Sequence, residues 1–456
     1  MRTLCALLPV IALLGAAAPA SAGTFRSSDP LLNVIWQKSV RTAADMLAPG
    51  GQTYDAVGHY CPEPAGQTVI LDGVVRDRCS YIGDESVIDL TLDASTPHFD
   101  VQRNMLVRFA ENQYPDGAIP SSPIQGGLVL FDYCGYWVTV LRNYVLYSGD
   151  VATGRRLWPQ LVRLIDGWYE AQIGPSGLLV NDFGPFDYAF IRRHGTTVAY
   201  FNAQYVYVLR QAAELAGWLG HPGAAGTWEA RATRFAPRFA AFWDPAAGAY
   251  SDTTNDPSTH PQDGNAFAVL AGIGTAKQQR SALNYLWQHD WQSYGNTIAD
   301  TDAWNDPAWG GSASLRVYPF MSFYEVLAWF KIGRPDAAVD LIRREWGYMA
   351  RHGPKDAMWE TIGPYGGGPT DQHQSWDAGW SSGAAPALTQ HVLGIVPVTP
   401  GFATFSVDPH PIGLSSASGS VTTPHGDISV SLKVIDGNTI VKVDAPAGTR
   451  QVAPVP

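Results

Sequence analysis

The chain has 456 residues, of which 46% are hydrophobic, 12% aromatic and only 16% charged, against about 25% charged in an ordinary soluble domain. That balance excludes a disordered or acidic-tail protein, and a net charge of −11 with no basic run excludes a nucleic-acid partner, which needs clustered Lys and Arg. What remains is a large globular protein with a deep core, one big domain with something small beside it.

Residues 1–22 read as a secretory signal: Arg2, an apolar run from Leu4 to Ala18, and a small-residue cleavage site at Ala20-Ser21-Ala22. The run is shorter than a membrane-spanning helix, and no later stretch could span a bilayer. The mature protein is therefore expected to be secreted or periplasmic, without a membrane partner. Cys5 leaves with the signal, and Cys61, Cys79 and Cys134 remain. Export permits a disulfide, and Cys61–Cys79 would close a local loop. The odd count leaves one thiol over, with the pairing open, and the spacings fit no zinc motif. No metal and no cofactor are expected.

Asp29-Pro30 supplies an N-cap and a first-turn proline, followed at helical spacing by Leu32, Ile35, Trp36, Ser39, Val40, Ala43 and Met46. Similar patterns cover 84–95, 98–112, 134–148, 154–172, 199–219, 225–243, 264–272, 276–288, 319–332, 335–351 and 379–392, twelve helices in all. The even-numbered ones tend to be apolar all round, and the odd-numbered ones are striped. An inner ring of six helices inside an outer ring of six follows. Links after even helices are short, whereas those after odd helices are long, near 49–83, 113–133, 173–198, 244–263, 289–318 and 352–378. Such long loops are usually functional, and all six must emerge at one end of the double ring. The expected organisation is a signal over 1–22, a helical barrel over 23–395 and a small β domain over 396–456. In the last, Ile428, Val430 and Leu432 alternate before a turn at Asp436-Gly437-Asn438 and a return through Ile440, Val441 and Val443.

The long loops concentrate acids and indoles. The first holds Asp55, Glu63, Asp72 and Asp77; the last holds Asp356, Glu360, Asp371 and Asp377 with Trp359 and Trp376. Aromatic faces cover the C–H side of a sugar while carboxylates accept its hydroxyl protons. Glycoside hydrolysis needs one carboxylic acid at the leaving oxygen and one carboxylate for water, a pairing that predicts a bell-shaped rate profile with an acidic optimum. Gly379-Trp-Ser-Ser-Gly383, with Asp408 and His410, matches a serine-hydrolase order but lacks the required strand and parallel sheet.

Asp72-Gly-Val-Val-Arg-Asp-Arg-Cys-Ser-Tyr-Ile-Gly-Asp84 resembles the Asp-rich first loop of the α-L-rhamnosidases of glycoside hydrolase family 78. The likeness continues at Pro261-Gln-Asp-Gly-Asn-Ala266, Met358-Trp359-Glu360, Gly379-Trp-Ser-Ser-Gly383 and Val396-Pro-Val-Thr-Pro-Gly-Phe402. It runs on through Thr423-Pro-His-Gly-Asp427 to Pro446-Ala-Gly-Thr449. The resemblance implies a mainly α fold, an (α/α)6 barrel followed by a small C-terminal β-sandwich-like domain. It also implies an inverting, exo-acting hydrolase of terminal α-L-rhamnose, acting on a rhamnose-containing glycoside or a polysaccharide side chain. Glu360 would be the general base and Asp77 the general acid. Asp72, Arg76 and Asp84 would bind sugar hydroxyls, and Trp304, Trp359 and Trp380 would form walls. Two positions depart from the family pattern: Arg78 where many members have Glu, and Ala378 where relatives often have His. Two other readings stand beside this one. A hydrolase or lyase on another sugar such as a uronic acid would use Arg192, Arg193 and His194 toward a substrate carboxylate. A catalytically degenerate carbohydrate-binding protein would account for Arg78 and Ala378.

Overall fold

A computed structural model describes residues 22–454 apart from 53, 55–57, 59, 76–77, 124–128, 182–186, 305–312, 355 and 370–373. The signal-like segment thus lies almost wholly outside the described residues.

Helix α1 is Pro30–Asp45, and the Asp29 carboxylate accepts the Leu31 N–H at 2.9 Å, as its N-cap position predicts. In chain order follow α2 Ile82–Ala94, α3 Phe99–Glu111, α4 Phe131–Ser148, the composite α5 over 151–171, α6 Ala199–Leu219 and α7 Pro222–Phe235. The series ends with α8 Gln262–Leu270, α9 Ala276–His289, α10 Pro319–Lys331, α11 Pro335–His352 and the composite α12 over 379–392. Packing follows the expected double ring. Each of α2, α4, α6, α8 and α10 packs on the next, and α12 closes the ring onto α2, while α1 and α11 pack together outside.

Three helices depart from a continuous α-helical pattern. Segment α5 breaks at Leu157, restarts as Trp158–Val162 and passes through a π turn at Arg163–Trp168. The break puts Pro159 in a first turn, where its missing N–H is harmless. Helix α7 gives way to a 3₁₀ run Ala236–Phe242 containing Pro237, for the same reason. Segment α12 is built of a 3₁₀ turn Gly379–Ser382, an α turn Ala384–Ala387 and a π turn Leu388–Val392.

The inner ring is buried as expected, but it is not uniformly apolar. Every residue of α2 is buried, including Asp84, Glu85, Asp89 and Asp93. Burial raises the carboxyls of Glu85 and Asp89 well above the usual carboxylate range and pushes Asp93 up to about 8.

The C-terminal region holds the antiparallel strands Ser416–Thr423, Gly426–Ile435 and Asn438–Asp444. The last two join through a tight turn with positive φ at Asp436 and Gly437, the twist that two-residue hairpins favour. Ile428, Val430 and Leu432 face inward, whereas Ile440 and Val441 are exposed. One strand of this sheet comes from outside the expected β domain. Thr24–Ser27, which precedes α1, is the edge of this sheet and pairs antiparallel with Ser416–Thr423, Thr24 opposite Ser420. A second, smaller sheet joins Ile395–Pro397, Thr404–Val407 and Arg450–Val452. The region seats on the ring where the Phe402 ring meets Tyr147 of α4 at 5.4 Å. The cysteine question resolves locally: Cys61 and Cys79 form a disulfide within the first long loop, and Cys134 is free and buried.

Candidate active site

Five of the six long loops meet around one cavity. The first loop contributes Asp72 and Tyr81, and the adjoining first turn of α2 contributes Asp84. Leu130 and Tyr133 come from the start of α4, Tyr188, Ala189 and Phe190 from the third loop, and Tyr318 from the fifth. Glu360, Ala378 and Trp380 complete the wall.

The backbone explains why residues distant in sequence meet. The first and last long loops are stitched together: the Gly379 N–H donates to the Asp72 carbonyl at 2.7 Å, the Val74 N–H to Asp377 at 3.2 Å, and Gly73 bridges to Ala378. Asp72 and Glu360 are thereby held on neighbouring segments although they are far apart in the chain. Glu360 is 9% exposed. Its Oε2 accepts the Ser375 N–H at 2.5 Å, and its backbone carbonyl takes the Trp380 indole N–H at 3.0 Å. The Ser375 N–H thus orients the carboxylate, while the Trp380 indole holds the Glu360 backbone. Asp84 is 3% exposed and accepts the Tyr133 hydroxyl at 3.0 Å. Its place in the first turn of α2 sets it in the favourable field of a helix N-terminus.

Four of the eight predicted site residues, Asp72, Asp84, Glu360 and Trp380, line the cavity. Arg76 and Asp77 lie outside the described residues. Two tryptophans fall behind the wall. Trp359 is 1% exposed, with its ring against Trp376 at 4.9 Å and Tyr348 at 5.9 Å. Trp304 is buried over the guanidinium of Arg193 at 4.9 Å. The other loop acids divide sharply. Glu63 accepts the N–H and hydroxyl of Ser80, both at 2.9 Å, and pairs with Arg108, so it builds the loop. Asp356 pairs with Lys38 at 3.4 Å on the surface, and Asp55 and Asp371 are outside the described residues. Arg78 turns back on its own loop, donating to the Val74 carbonyl at 3.1 Å and to Gln52 at 3.3 Å.

The Arg192–His194 cluster does not serve a substrate carboxylate as a unit. Arg193 is buried and donates to Asp187, Asp252 and Asp263, the exposed His194 pairs with Asp256 at 2.8 Å, and Arg192 is exposed. Ser381 is buried in a 3₁₀ turn and donates its hydroxyl to the Trp359 carbonyl at 2.5 Å, so it is a structural residue. Sequence reasoning missed the tyrosines. Tyr81, Tyr133, Tyr188 and Tyr318 all reach the cavity; for Tyr81, Tyr133 and Tyr318 the signal was their position at the start of inner helices, and Tyr188, in the third long loop, carried none.

A family model of the bacterial alpha-L-rhamnosidase 6 hairpin glycosidase domain matches residues 67–299, and one of the bacterial alpha-L-rhamnosidase C-terminal domain matches residues 394–456. None of the curated protein sequences compared matches the chain. Among solved structures, the GH78 family rhamnosidase of Bacillus sp. GL1 is 23% identical with a TM-score of 0.76, over 96% of this chain and 43% of that one. The rhamnosidase from Klebsiella oxytoca with rhamnose bound is 23% identical with a TM-score of 0.63, over 82% and 66%. The Streptomyces avermitilis alpha-L-rhamnosidase complexed with L-rhamnose is 18% identical with a TM-score of 0.72, over 95% and 38%. The chain thus spans 43% of the length of the Bacillus protein and 38% of that of the Streptomyces one. With the six-hairpin model covering half of the chain and the C-terminal model covering its end, the protein belongs to the bacterial α-L-rhamnosidase six-hairpin glycosidase family.

Proposed function

We propose that this protein is an exported, exo-acting glycoside hydrolase that removes terminal α-L-rhamnose with inversion. The observation that carries the reading is the lining of the cavity itself, with Asp72, Asp84 and Glu360 set among Trp380 and tyrosine rings. A site of this kind fits a single sugar, with apolar ring faces for its C–H side and oxygens for its hydroxyls. In the proposed mechanism Asp77 gives its proton to the glycosidic oxygen as the C–O bond breaks. Glu360 takes a proton from water as that water bonds to C1 on the opposite face. The products are the free aglycone alcohol and rhamnose of inverted anomeric configuration. Asp72, Arg76 and Asp84 hold hydroxyls, and Trp380 supplies the apolar wall, with Trp359 and Trp304 supporting it from behind. Export rests on the signal-like residues 1–22. Among the described residues no helix is long and apolar enough to cross a membrane. The proposed division of the chain remains a barrel over 23–395 and a β domain over 396–456.

A panel of aryl glycosides tests the reading. Hydrolysis of the α-L-rhamnoside ahead of other sugars, with the inverted anomer appearing first by NMR, is the expected result. Cleavage of another sugar alone replaces the substrate, and sugar binding without cleavage of any member replaces the enzyme by a binding protein. The Asp84–Tyr133 pair supplies a second prediction. Gly83 lets the Tyr133 ring lie against α2, where a Cβ would stand 2.3 Å from Tyr133 Cζ. Gly83→Ala is therefore expected to displace Tyr133 from Asp84 and raise KM for the aryl rhamnoside by about ten-fold, the worth of one hydrogen bond to a charged group. An unchanged KM removes that pair from sugar binding.

A further inference from the structure

We infer that Arg193 is the positioning residue of the cavity wall made by Tyr188, Ala189 and Phe190. The inference rests on the glycosidase reading only for the kinetic half of its test. The Arg193 side chain is 1% exposed. Its Nε and Nη2 donate to Asp187 Oδ2 at 3.0 and 2.7 Å, Nη2 also to Asp263 Oδ2 at 2.6 Å, and Nη1 to Asp252 Oδ1 at 2.6 Å. These three aspartates belong to different parts of the fold. Asp187 begins the wall, Asp252 lies in the fourth long loop, and Asp263 is in the first turn of α8 in the inner ring. One guanidinium therefore ties a cavity wall to the ring.

Asp187 passes that anchorage on. While its Oδ2 faces Arg193, its Oδ1 accepts the N–H groups of Ala189 at 3.0 Å and Ile191 at 3.1 Å. Between those two donors sits Phe190, whose φ of +53° is a left-handed conformation for a bulky side chain. Such a residue keeps that conformation only when its surroundings over-determine it. The surroundings here are the Asp187 turn, the Tyr188 N–H donating to Asp132 Oδ2 at 3.1 Å, and the guanidinium that fixes Asp187. Trp304 closes the clamp from outside, 4.9 Å from the guanidinium carbon. The fourth long loop, which contributes no residue to the cavity lining, finds its role here as well: Asp252 and Asp263 hold the arginine that holds the wall.

Lysine cannot substitute. An ammonium is a point donor, whereas the planar fork reaches three carboxylates in different directions at once. The test uses Arg193→Lys and Asp187→Asn in the full chain. Asparagine keeps the Oδ1 acceptor for the turn but withdraws the charge facing Arg193, so it carries the test if the lysine variant does not fold. Amide hydrogen exchange is followed over 187–193 and over α6 and α8, alongside KM and kcat on the aryl α-L-rhamnoside. The expected result is at least ten-fold faster exchange at Ala189, Phe190 and Ile191, with α6 and α8 unchanged, and a KM at least ten-fold higher with kcat within about three-fold, the signature of lost uniform binding. Unchanged exchange and unchanged KM overturn the inference, and so does faster exchange spread evenly over the ring helices. Faster exchange confined to the wall in a protein whose wild type cleaves no glycoside upholds the positioning role and removes the hydrolase reading instead.

Discussion

Glu360→Gln is expected to lower kcat on an aryl α-L-rhamnoside by about 10²–10⁴-fold, the range for loss of a general base, with little change in KM or thermal stability. The near-isosteric amide keeps an oxygen for the Ser375 N–H, now accepted at 2.5 Å, and the Trp380 N–H bonds the backbone carbonyl, which the substitution leaves alone. What disappears is only the ability to take a proton from water. Azide, a nucleophile that needs no base, should then restore turnover and give a glycosyl azide of inverted configuration. Full activity in Glu360→Gln, or an azide product of retained configuration, removes Glu360 from that role. Asp77→Asn makes the complementary case. Its effect should shrink as the leaving group becomes a better one, because a stable phenolate departs without a proton and an alkyl alkoxide does not. Equal losses on both kinds of leaving group would argue against Asp77 as the acid.

The second large effect concerns stability against pH. Burial, above all other causes, raises Asp93 to about 8 and raises Glu85, Asp89, Asp132, Asp290 and Glu345 well above the usual carboxylate range. A carboxyl whose folded pKa exceeds its unfolded one binds a proton on folding. Its share of stability is complete below about pH 4 and is lost as pH rises through the folded pKa. His260, clasped between Asp244 and Asp300 at 3.1 Å each, is raised by those hydrogen bonds against the opposing effect of burial, and its contribution likewise fades on the alkaline side. Asp256 runs the other way. It is lowered to about 2, with burial opposed by hydrogen bonds from Ser258 and His194, so its stabilisation is lost only as pH falls toward 2. Melting temperature should therefore fall by on the order of 5 °C between pH 5 and pH 8, with the optimum on the acid side. Asp93→Asn, which mimics the protonated carboxyl beside Gln102, should flatten that slope. A melting curve independent of pH over this range, or a slope unaltered by the substitution, would show that these groups do not hold protons in the native state.

Much of this fold was legible because helical periodicity is local. Leu32, Ile35, Trp36, Ser39 and Ala43 repeat at the right spacing and are, with Thr42, the residues buried in α1, and the alternation of short and long links placed the mouth of the barrel. What escaped depends on partners far away. Thr24–Ser27 is a strand only because Ser416–Thr423 lies beside it, and a four-residue edge has no periodicity to read. The even-numbered helices read as apolar all round, and the four buried acids of α2 depart from that pattern. In the site, Asp72, Asp84, Glu360 and Trp380 were found from motif order, whereas Trp359, in the same loop as Glu360, and Trp304, in the fifth loop, pack behind the cavity. Type and spacing identify a loop's chemistry; only the backbone stitching at Gly73 and Ala378 decides which side chains face inward.

The strand Thr24–Ser27 also dictates an order of events. Its register with Ser416–Thr423 joins residues 396 positions apart, with the Thr24 and Ser420 hydroxyls 3.0 Å from one another. A chain emerging in sequence makes this strand long before its partner, so the seam between them closes only once Ser416–Thr423 has emerged. Contacts of such separation place folding in the slow, non-local class. A nascent chain halted before Ser416 leaves Thr24–Ser27 without its partner strand, an open edge on which another copy could add.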